Sequence, residues 1–155
     1  IRLKSTDNSK EISERLSLLA SDKVLDEIDN ILEDKVQFID QIHSKATYAK
    51  KIEKNEGKIN WDDEATNILG KINGLFPIPG AFFNFNGERY KIVKAEIGNG
   101  IGNIGEVITD SLEIACRNKK SIKILEIQRA GKKSQKIGEF MLGSQIKKGC
   151  VISDA

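Results

Sequence analysis

Apolar residues in the first part of the chain recur at helical spacing. They follow one another every three or four positions, with a change of phase near residue 20: Ile12, Leu16, Leu19, Leu25, Ile28 and Leu32. Asn8 and Glu11 stand at capping-box spacing just before this pattern, which predicts a helix start. The change of phase indicates either one helix with a defect or two helices in sequence. Alternating apolar and basic residues at positions 1–4 predict the end of a strand.

A connector and a second helix are predicted in the middle of the chain. Residues 36–58 lose apolar periodicity and are rich in lysine, which is typical of a connecting segment. After Trp61, apolar residues return at helical spacing from Ala65 to Ile72. This helix must end before the prolines of residues 77–79, because proline cannot continue a helix.

The remainder of the chain predicts β structure. Strands are indicated over residues 81–85 and 88–97, and the Asn86-Gly87 pair between them predicts a tight hairpin. Three more strands, a short helix and a last strand are predicted in this order: residues 105–109, 112–117, 121–128, 136–142 and 151–152. Short antiparallel strands with short helices are typical of an α+β fold built on a small, partly open β-barrel of the OB type.

The composition mainly excludes certain classes of protein. Charged residues make up 31% of the chain, and no apolar run approaches the ~18–20 residues of a membrane span, so we expect no membrane partner. Cys116 and Cys150 are too few and too far apart for a disulfide scaffold or a zinc ribbon, which favours a cytoplasmic location with both thiols buried. Because the chain begins at Ile1 and Met141 is its single methionine, we expect it to be a piece of a longer protein.

The net charge of +2 hides an uneven distribution. Residues 1–40 carry 6 basic and 10 acidic side chains, whereas residues 41–155 carry 19 basic and 13 acidic. Residues 115–155 alone carry 10 basic and 3 acidic side chains. This asymmetry indicates a polyanionic partner for the second part of the chain. The alternative is that the lysines only keep a β domain soluble.

Two glycine-rich segments resemble nucleotide-binding motifs but lack the neighbouring residues or elements that such motifs need. Gly100, Gly102 and Gly105 match G-x-G-x-x-G, but strand-like residues follow where a dinucleotide site needs a helix. We interpret residues 98–104 as a flexible loop. Residues 131–134 resemble the end of a phosphate-binding loop, but Glu126 stands where its first glycine should be.

No group of residues predicts catalysis or a resident metal. His43 is the only histidine, and it has neither metal ligands at suitable spacing nor a nucleophile beside it. Cys116 lies in an apolar strand pattern and is most simply a core residue. We therefore predict no catalytic residue, no metal site and no cofactor bound by this chain.

The basic residues are the remaining functional candidates. They precede the predicted barrel and crowd its last turn: Lys50, Lys51, Lys54, Lys58, Arg129, Lys132, Lys133 and Lys136. If both groups face one way, they form a track for a phosphate backbone. Few aromatic residues are interleaved with them, which favours a folded nucleic acid over a stacked single strand.

Several spaced motifs resemble the methionyl-tRNA formyltransferase family. They occur in the family's order: TYAKKIEK at 47–54, GKINW at 57–61, LFPIPGA at 75–81, KI and KA at 91–92 and 94–95, LEIQ at 125–128, GKK at 131–133 and EFMLG at 139–143. The likeness extends from about Ala46 to Ile152. Residues 1–40 resemble the last strand and helix of the same family's Rossmann-like, folate-binding domain.

The resemblance implies a parent enzyme that transfers a formyl group from 10-formyltetrahydrofolate to methionyl initiator tRNA. In that family the chemistry belongs to an Asn, a His and an Asp of an upstream domain, and no position here matches those motifs. It implies a catalytic-domain remnant at 1–40, a basic linker at 41–57 and an OB-like tRNA-binding domain at 58–155. The chain alone is predicted to be inactive, and its partners would be initiator methionyl-tRNA and the upstream catalytic domain.

The chain departs from the family at two positions, and related proteins share its pattern. Lys71 stands where the family often has arginine, so a bidentate phosphate contact is impossible there, and Asn60 stands where aspartate is common. Related tails occur in formyltetrahydrofolate dehydrogenases and sugar-nucleotide formyltransferases. The sequence is also compatible with a stand-alone RNA-binding module of OB type, or with a domain that only stabilises or orients a partner enzyme.

Overall fold

The computed structural model describes residues 1–153. Its α-helices and strands are α1 (Ser9–Leu32), α2 (Ala65–Gly74), β1 (Ala81–Phe85), β2 (Glu88–Gly98), β3 (Glu113–Cys116), β4 (Lys120–Arg129), β5 (Ser134–Lys136) and α3 (Ile137–Leu142). Short 3₁₀ turns lie at His43–Lys45 and Lys54–Gly57. The predicted α+β class is confirmed, with one antiparallel sheet of five strands.

The sheet is organised around β4. One edge of β4 pairs with β2, and the other edge pairs with β3 along its first half and with β5 along its second. β1 and β2 form the predicted hairpin, with Phe85 opposite Glu88. Asn86 and Gly87 have φ values of 50° and 77°, as a type I′ turn requires. Isolated bridges extend the pairing beyond β1 to Lys58 and beyond β3 to Val107.

The core lies between one face of this sheet and α2. Ile122 and Ile124, two residues apart on β4, are fully buried, and Ile68 and Ile72 of α2 pack into the same cluster. Trp61 lies 5.9 Å from Phe83 between ring centroids, in an edge-to-face arrangement. This spacing of the buried residues follows from the two-residue period of strands and the wider period of helices.

The first helix forms as its cap predicts. The Asn8 side chain accepts a hydrogen bond from the Glu11 backbone N–H, and the Glu11 carboxylate accepts one from the Asn8 N–H. α1 continues without interruption through the change of phase near residue 20, so the chain forms one helix there. The structure shows no buried residue along α1. Its start is joined to the sheet region by hydrogen bonds from Ser9 Oγ to the Phe76 carbonyl and from Asn73 Nδ2 to the Ser5 carbonyl.

Three strand predictions were wrong in whole or in part. Residues 1–4 form no strand, because a strand needs a partner and no segment of residues 1–153 pairs with them. The predicted strands at 105–109 and 151–152 shrink to isolated bridges that join Glu106 to Val151 and Val107 to Ile114. β5 was missed altogether, because its three residues are all exposed and show no apolar alternation.

Candidate nucleic-acid interface

The closing hairpin, formed by β4 and β5, carries four of the predicted residues. Its turn needs a left-handed residue at Gly131, which has a φ of 69°. Lys132 and Lys133 are exposed in this turn, and the Lys132 carbonyl accepts a hydrogen bond from Gln128 Nε2 at 2.8 Å. Lys136 lies on β5 opposite Glu126. The hairpin therefore holds its basic side chains at the end of the sheet.

Arg129 is the anchored member of this group. Its guanidinium lies 5.1 Å from the centre of the Phe140 ring and donates a long hydrogen bond of 3.4 Å from Nη2 to the Gly143 carbonyl. Its Nε is buried without a hydrogen-bond partner among residues 1–153. The side chain is thus positioned by packing, while most of its donors stay unused.

The end of the connector is fixed beside the start of β1. The Ile59 N–H donates to the Phe82 carbonyl at 2.8 Å, and Lys71 Nζ donates to the Lys58 carbonyl at 3.1 Å. Gly57 packs so closely that a Cβ there would lie 2.4 Å from the Gly80 carbonyl oxygen. Lys58, on the 3₁₀ turn's C-terminal flank, is consequently held next to the first strand.

A cleft of about 280 Å³ lies between the start of β1 and the closing hairpin. We call it the basic cleft, and its lining includes Gly80, Phe82, Arg89, Lys91, Arg129 and Gly131. It lies next to both the connector end and the closing hairpin, because Gly57 contacts Gly80 and Gly80 lines the cleft with Gly131. The structure gives no such link for Lys50 and Lys51, which are exposed in the irregular segment before the 3₁₀ turn.

Sequence reasoning missed Arg89 and Lys91 as members of this surface. They alternate along β2 with Tyr90 and Ile92, whose side chains are buried. That alternation was a readable signal that both basic side chains share the outer face. In the pairing of β2 with β4, Lys91 lies opposite Gln128, which also lines the cleft. Arg129 lies opposite Tyr90, so its side chain belongs to the Tyr90 face and packs on Phe140.

The local electrostatics favour an anion. Within residues 1–153, no ion pair involves Arg89, Lys91, Arg129, Lys132 or Lys133. Burial, together with the hydrogen bond that its hydroxyl donates to Glu88 at 2.7 Å, raises the pKa of Tyr90 to about 12. Tyr90 therefore stays neutral at physiological pH, and the negative charge beside its hydroxyl is that of the Glu88 carboxylate.

The glycine-rich loop has no dinucleotide geometry. No helix begins directly after it: isolated bridges at Glu106 and Val107 come next, and then β3. Its glycines are explained by close packing: a Cβ on Gly100 would lie 2.1 Å from Ile108 Cδ1. The Gly100 N–H also donates to Ser121 Oγ at 3.0 Å. The loop is thus bonded to β4. Close packing explains its glycines, whereas the sequence had suggested that they make the loop flexible.

Other kinds of site find no support in the same part of the chain. Residues 1–153 contain no cluster of three or more His, Cys, Asp or Glu side chains placed to hold a metal ion. No helix among them is long and apolar enough to cross a membrane. Cys116 is buried as predicted, and burial raises the pKa of its thiol to about 12. Cys150 is only half-buried, so the expectation that both thiols are buried is wrong for this residue.

Comparison with known proteins adds a family match. A model described as the formyl transferase C-terminal domain matches residues 51–145. A methionyl-tRNA formyltransferase of Pelagibacter ubique is 59% identical over 154 residues, covering 99% of this chain and 50% of the relative. One of Rickettsia massiliae is 41% identical over 132 residues, covering 84% of this chain and 42% of the relative.

The solved structures agree on the fold. A variant of HypX from Aquifex aeolicus superposes with a TM-score of 0.70 at 16% identity, covering 93% of this chain and 27% of that one. The chain spans about half the length of the curated relatives that it matches. The resemblance seen in the sequence motifs is confirmed.

Proposed function

We propose that this chain, which belongs to the formyl transferase C-terminal domain family, is the tRNA-binding part of a methionyl-tRNA formyltransferase. The parent enzyme would transfer a formyl group from 10-formyltetrahydrofolate to the amino group of methionyl initiator tRNA. It would act in the cytoplasm at the start of translation. Residues 1–40 would end the catalytic domain, 41–57 would form a linker, and 58–155 would bind the tRNA.

The observation that carries this proposal is the basic side of the sheet. The connector end, the basic cleft and the closing hairpin lie next to one another, and no carboxylate of residues 1–153 lines the cleft between them. The cations of the cleft and the hairpin form no ion pair within those residues: Arg89, Lys91, Lys132 and Lys133. Neighbouring positive groups of this kind attract a polyanion and release its condensed cations. The 59% identity to a relative named methionyl-tRNA formyltransferase supports a tRNA as that polyanion.

The predicted residues would contact phosphates and leave bases unread. Lysine offers a compact point charge on a flexible stem, which suits a phosphate more than the fixed edge of a base. Lys132 and Lys133 are exposed and lie outside any ion pair of residues 1–153. Phosphate contacts position a nucleic acid without reading its sequence. Selection of the initiator tRNA and the formyl transfer itself would belong to the rest of the enzyme.

Binding of purified tRNAs at several salt concentrations tests the proposal. The double variant Lys132→Ala/Lys133→Ala should bind all tRNAs more weakly and about equally so. The slope of log affinity against log salt should become shallower by about 1–2, because each phosphate contact contributes roughly 0.7–0.9. Circular dichroism should show an unchanged fold, since both side chains are exposed.

Lys147→Ala/Lys148→Ala is the matched control, because it removes two adjacent exposed lysines elsewhere on the chain. It should change the slope less than the hairpin variant does. Unchanged affinity and slope in the hairpin variant would show that its lysines only solvate a turn. A loss confined to initiator tRNA would show instead that this half reads tRNA identity.

A further inference from the structure

The basic cleft concentrates positive charge. Arg89 and Lys91 line it from the outer face of β2, and no acidic residue among residues 1–153 lines it. Like charges repel one another, and an anion seated among them relieves that repulsion. The cleft volume of about 280 Å³ lies just below the ~300–1,000 Å³ usual for small-molecule sites. That size suits a phosphate group with its sugar better than a cofactor.

Arg89 is held in place without using its donors. Its guanidinium carbon lies 3.6 Å from the centre of the Phe82 ring, a cation–π contact. Among residues 1–153 its guanidinium makes neither an ion pair nor a hydrogen bond. Stacking therefore fixes the group while its five N–H donors remain available to an acceptor.

Lys91 is also preorganised. Its side chain crosses Gly80 so closely that a Cβ there would lie 2.2 Å from Lys91 Cε. Its Nζ donates to the Pro77 carbonyl at 2.5 Å, which leaves two further N–H donors. Both cations are thus restrained by the fold, and their N–H donors are incompletely satisfied within residues 1–153.

We propose that the basic cleft holds one phosphodiester group of the tRNA backbone, with Arg89 and Lys91 as its ligands. The inference rests on the proposed function and adds a discrete site to it. Restrained donors lose little conformational entropy when they bind. Arginine also matches the paired oxygens of a phosphate. This site would fix the register of the tRNA, and the exposed lysines of the closing hairpin would add attraction around it.

Gly131 permits a charge test with little change of shape. Its Cβ position is open, with no atom within 4 Å, and its φ of 69° is one that Asn and Asp tolerate better than most residues. Gly131→Asp and Gly131→Asn therefore differ mainly by one negative charge at the cleft. Gly149 offers the same pair of substitutions beyond the opposite end of β4, with a φ of 87° and open space.

Equilibrium binding of tRNA to the four variants and the unchanged chain provides the test. Gly131→Asp should bind at least about fivefold more weakly than Gly131→Asn, the ratio that a unit charge at ~4 Å in water produces. Gly149→Asp and Gly149→Asn should differ by less than that. Equal binding of the Gly131 pair, or equal ratios at both sites, would overturn the cleft assignment while the proposed function stands.

Failure of the proposed function has a different signature. In that case the unchanged chain itself binds no tRNA, and the phosphodiester site falls with it. If the Gly131 variants do not fold, as judged by circular dichroism, Lys91→Gln replaces them with Lys94→Gln as its control on the same strand. A larger loss of affinity in Lys91→Gln supports the site, and equal losses reject it.

Discussion

The N-terminal arm (residues 1–40) and the sheet domain (residues 58–153) use apolar residues in opposite ways. In the sheet domain Ile122, Ile124 and Ile127 are fully buried. In the arm, α1 has no buried residue, and Leu25 exposes 69% of its surface. The helix is nevertheless closed by a complete capping box. Local signals therefore suffice to set the start of a helix, but they do not provide a packing partner for its apolar residues.

The arm also carries two apolar stripes on different sides. At about 100° per residue, Leu25, Ile28 and Leu32 point roughly opposite to Ile12, Leu16 and Leu19. This is the change of phase seen in the sequence, and the helix passes through it without a break. A single interface cannot cover both stripes. The comparison thus separates a domain that is stabilised by its own core from a helix whose apolar residues face solvent here.

Loss of a core side chain should produce the largest difference between the two regions. Ile124→Ala should lower the free energy of unfolding of the sheet domain by about 2–5 kcal/mol, because a buried isoleucine leaves a cavity. Ile28→Ala is the matched change in α1, where the side chain is 43% exposed, and should change it by less than about 0.5 kcal/mol. Urea titrations followed by Trp61 fluorescence measure both. Comparable losses would mean that α1 is part of the cooperative core.

The junction between connector and sheet should show an intermediate effect. A Cβ at Gly57 would meet the Gly80 carbonyl oxygen at 2.4 Å, so Gly57→Ala must push the connector from β1. We expect about 1–3 kcal/mol of destabilisation, as for overpacking, together with weaker tRNA binding. Gly70→Ala in α2 is the control, since no atom lies within 4 Å of its Cβ position. It should stabilise the domain by up to about 1 kcal/mol. Equal effects at the two glycines would contradict the close contact.

Sequence reasoning succeeded where a signal is local and failed where a partner decides the outcome. The Asn86-Gly87 turn and the alternation in β4 are set by neighbouring residues, so their positions were predictable. β5 forms only because the second half of β4 has a free edge, and its exposed residues carry no pattern. Val107 looked like part of a strand, but its pairing is limited to a single bridge with Ile114.

The candidate site divides in the same way. The lysines of the closing hairpin were visible as a cluster in the sequence because they lie within a few residues of one another. Arg89 and Lys91 were not singled out, because their closeness to Gln128 and the closing hairpin depends on the pairing of β2 with β4. The need for glycine at position 80 likewise became visible only in the structure, where the Lys91 side chain crosses Gly80. Contacts between distant segments therefore supplied the cleft that links the two predicted groups.

Acid titration should show the smallest effect and should affect both regions. The hydrogen bonds from Arg117 hold the pKa of Asp62 below its usual value of 3.8 in the sheet domain. In the arm, the backbone N–H of Lys4 and then Arg15 lower the pKa of Asp7 in the same direction. A lowered carboxyl pKa contributes stability above the unfolded value, and that contribution is lost as pH falls through the folded value.

Replacing the two aspartates should therefore affect different spectroscopic signals in the same pH range. Asp62→Asn should flatten the acid limb of sheet-domain stability below about pH 4, as measured by Trp61 fluorescence, and leave helical circular dichroism almost unchanged. Asp7→Asn should change the acid limb of the helical circular dichroism signal and leave Trp61 fluorescence almost unchanged. Asp7 accepts its hydrogen bonds just before α1, from Lys4 and Arg15, which are three and eight residues away. Both effects should be small, since exposed ion pairs contribute little. If Asp7→Asn shifted the fluorescence transition as much as Asp62→Asn does, arm and sheet domain would unfold as one unit, and the contrast between them would fail.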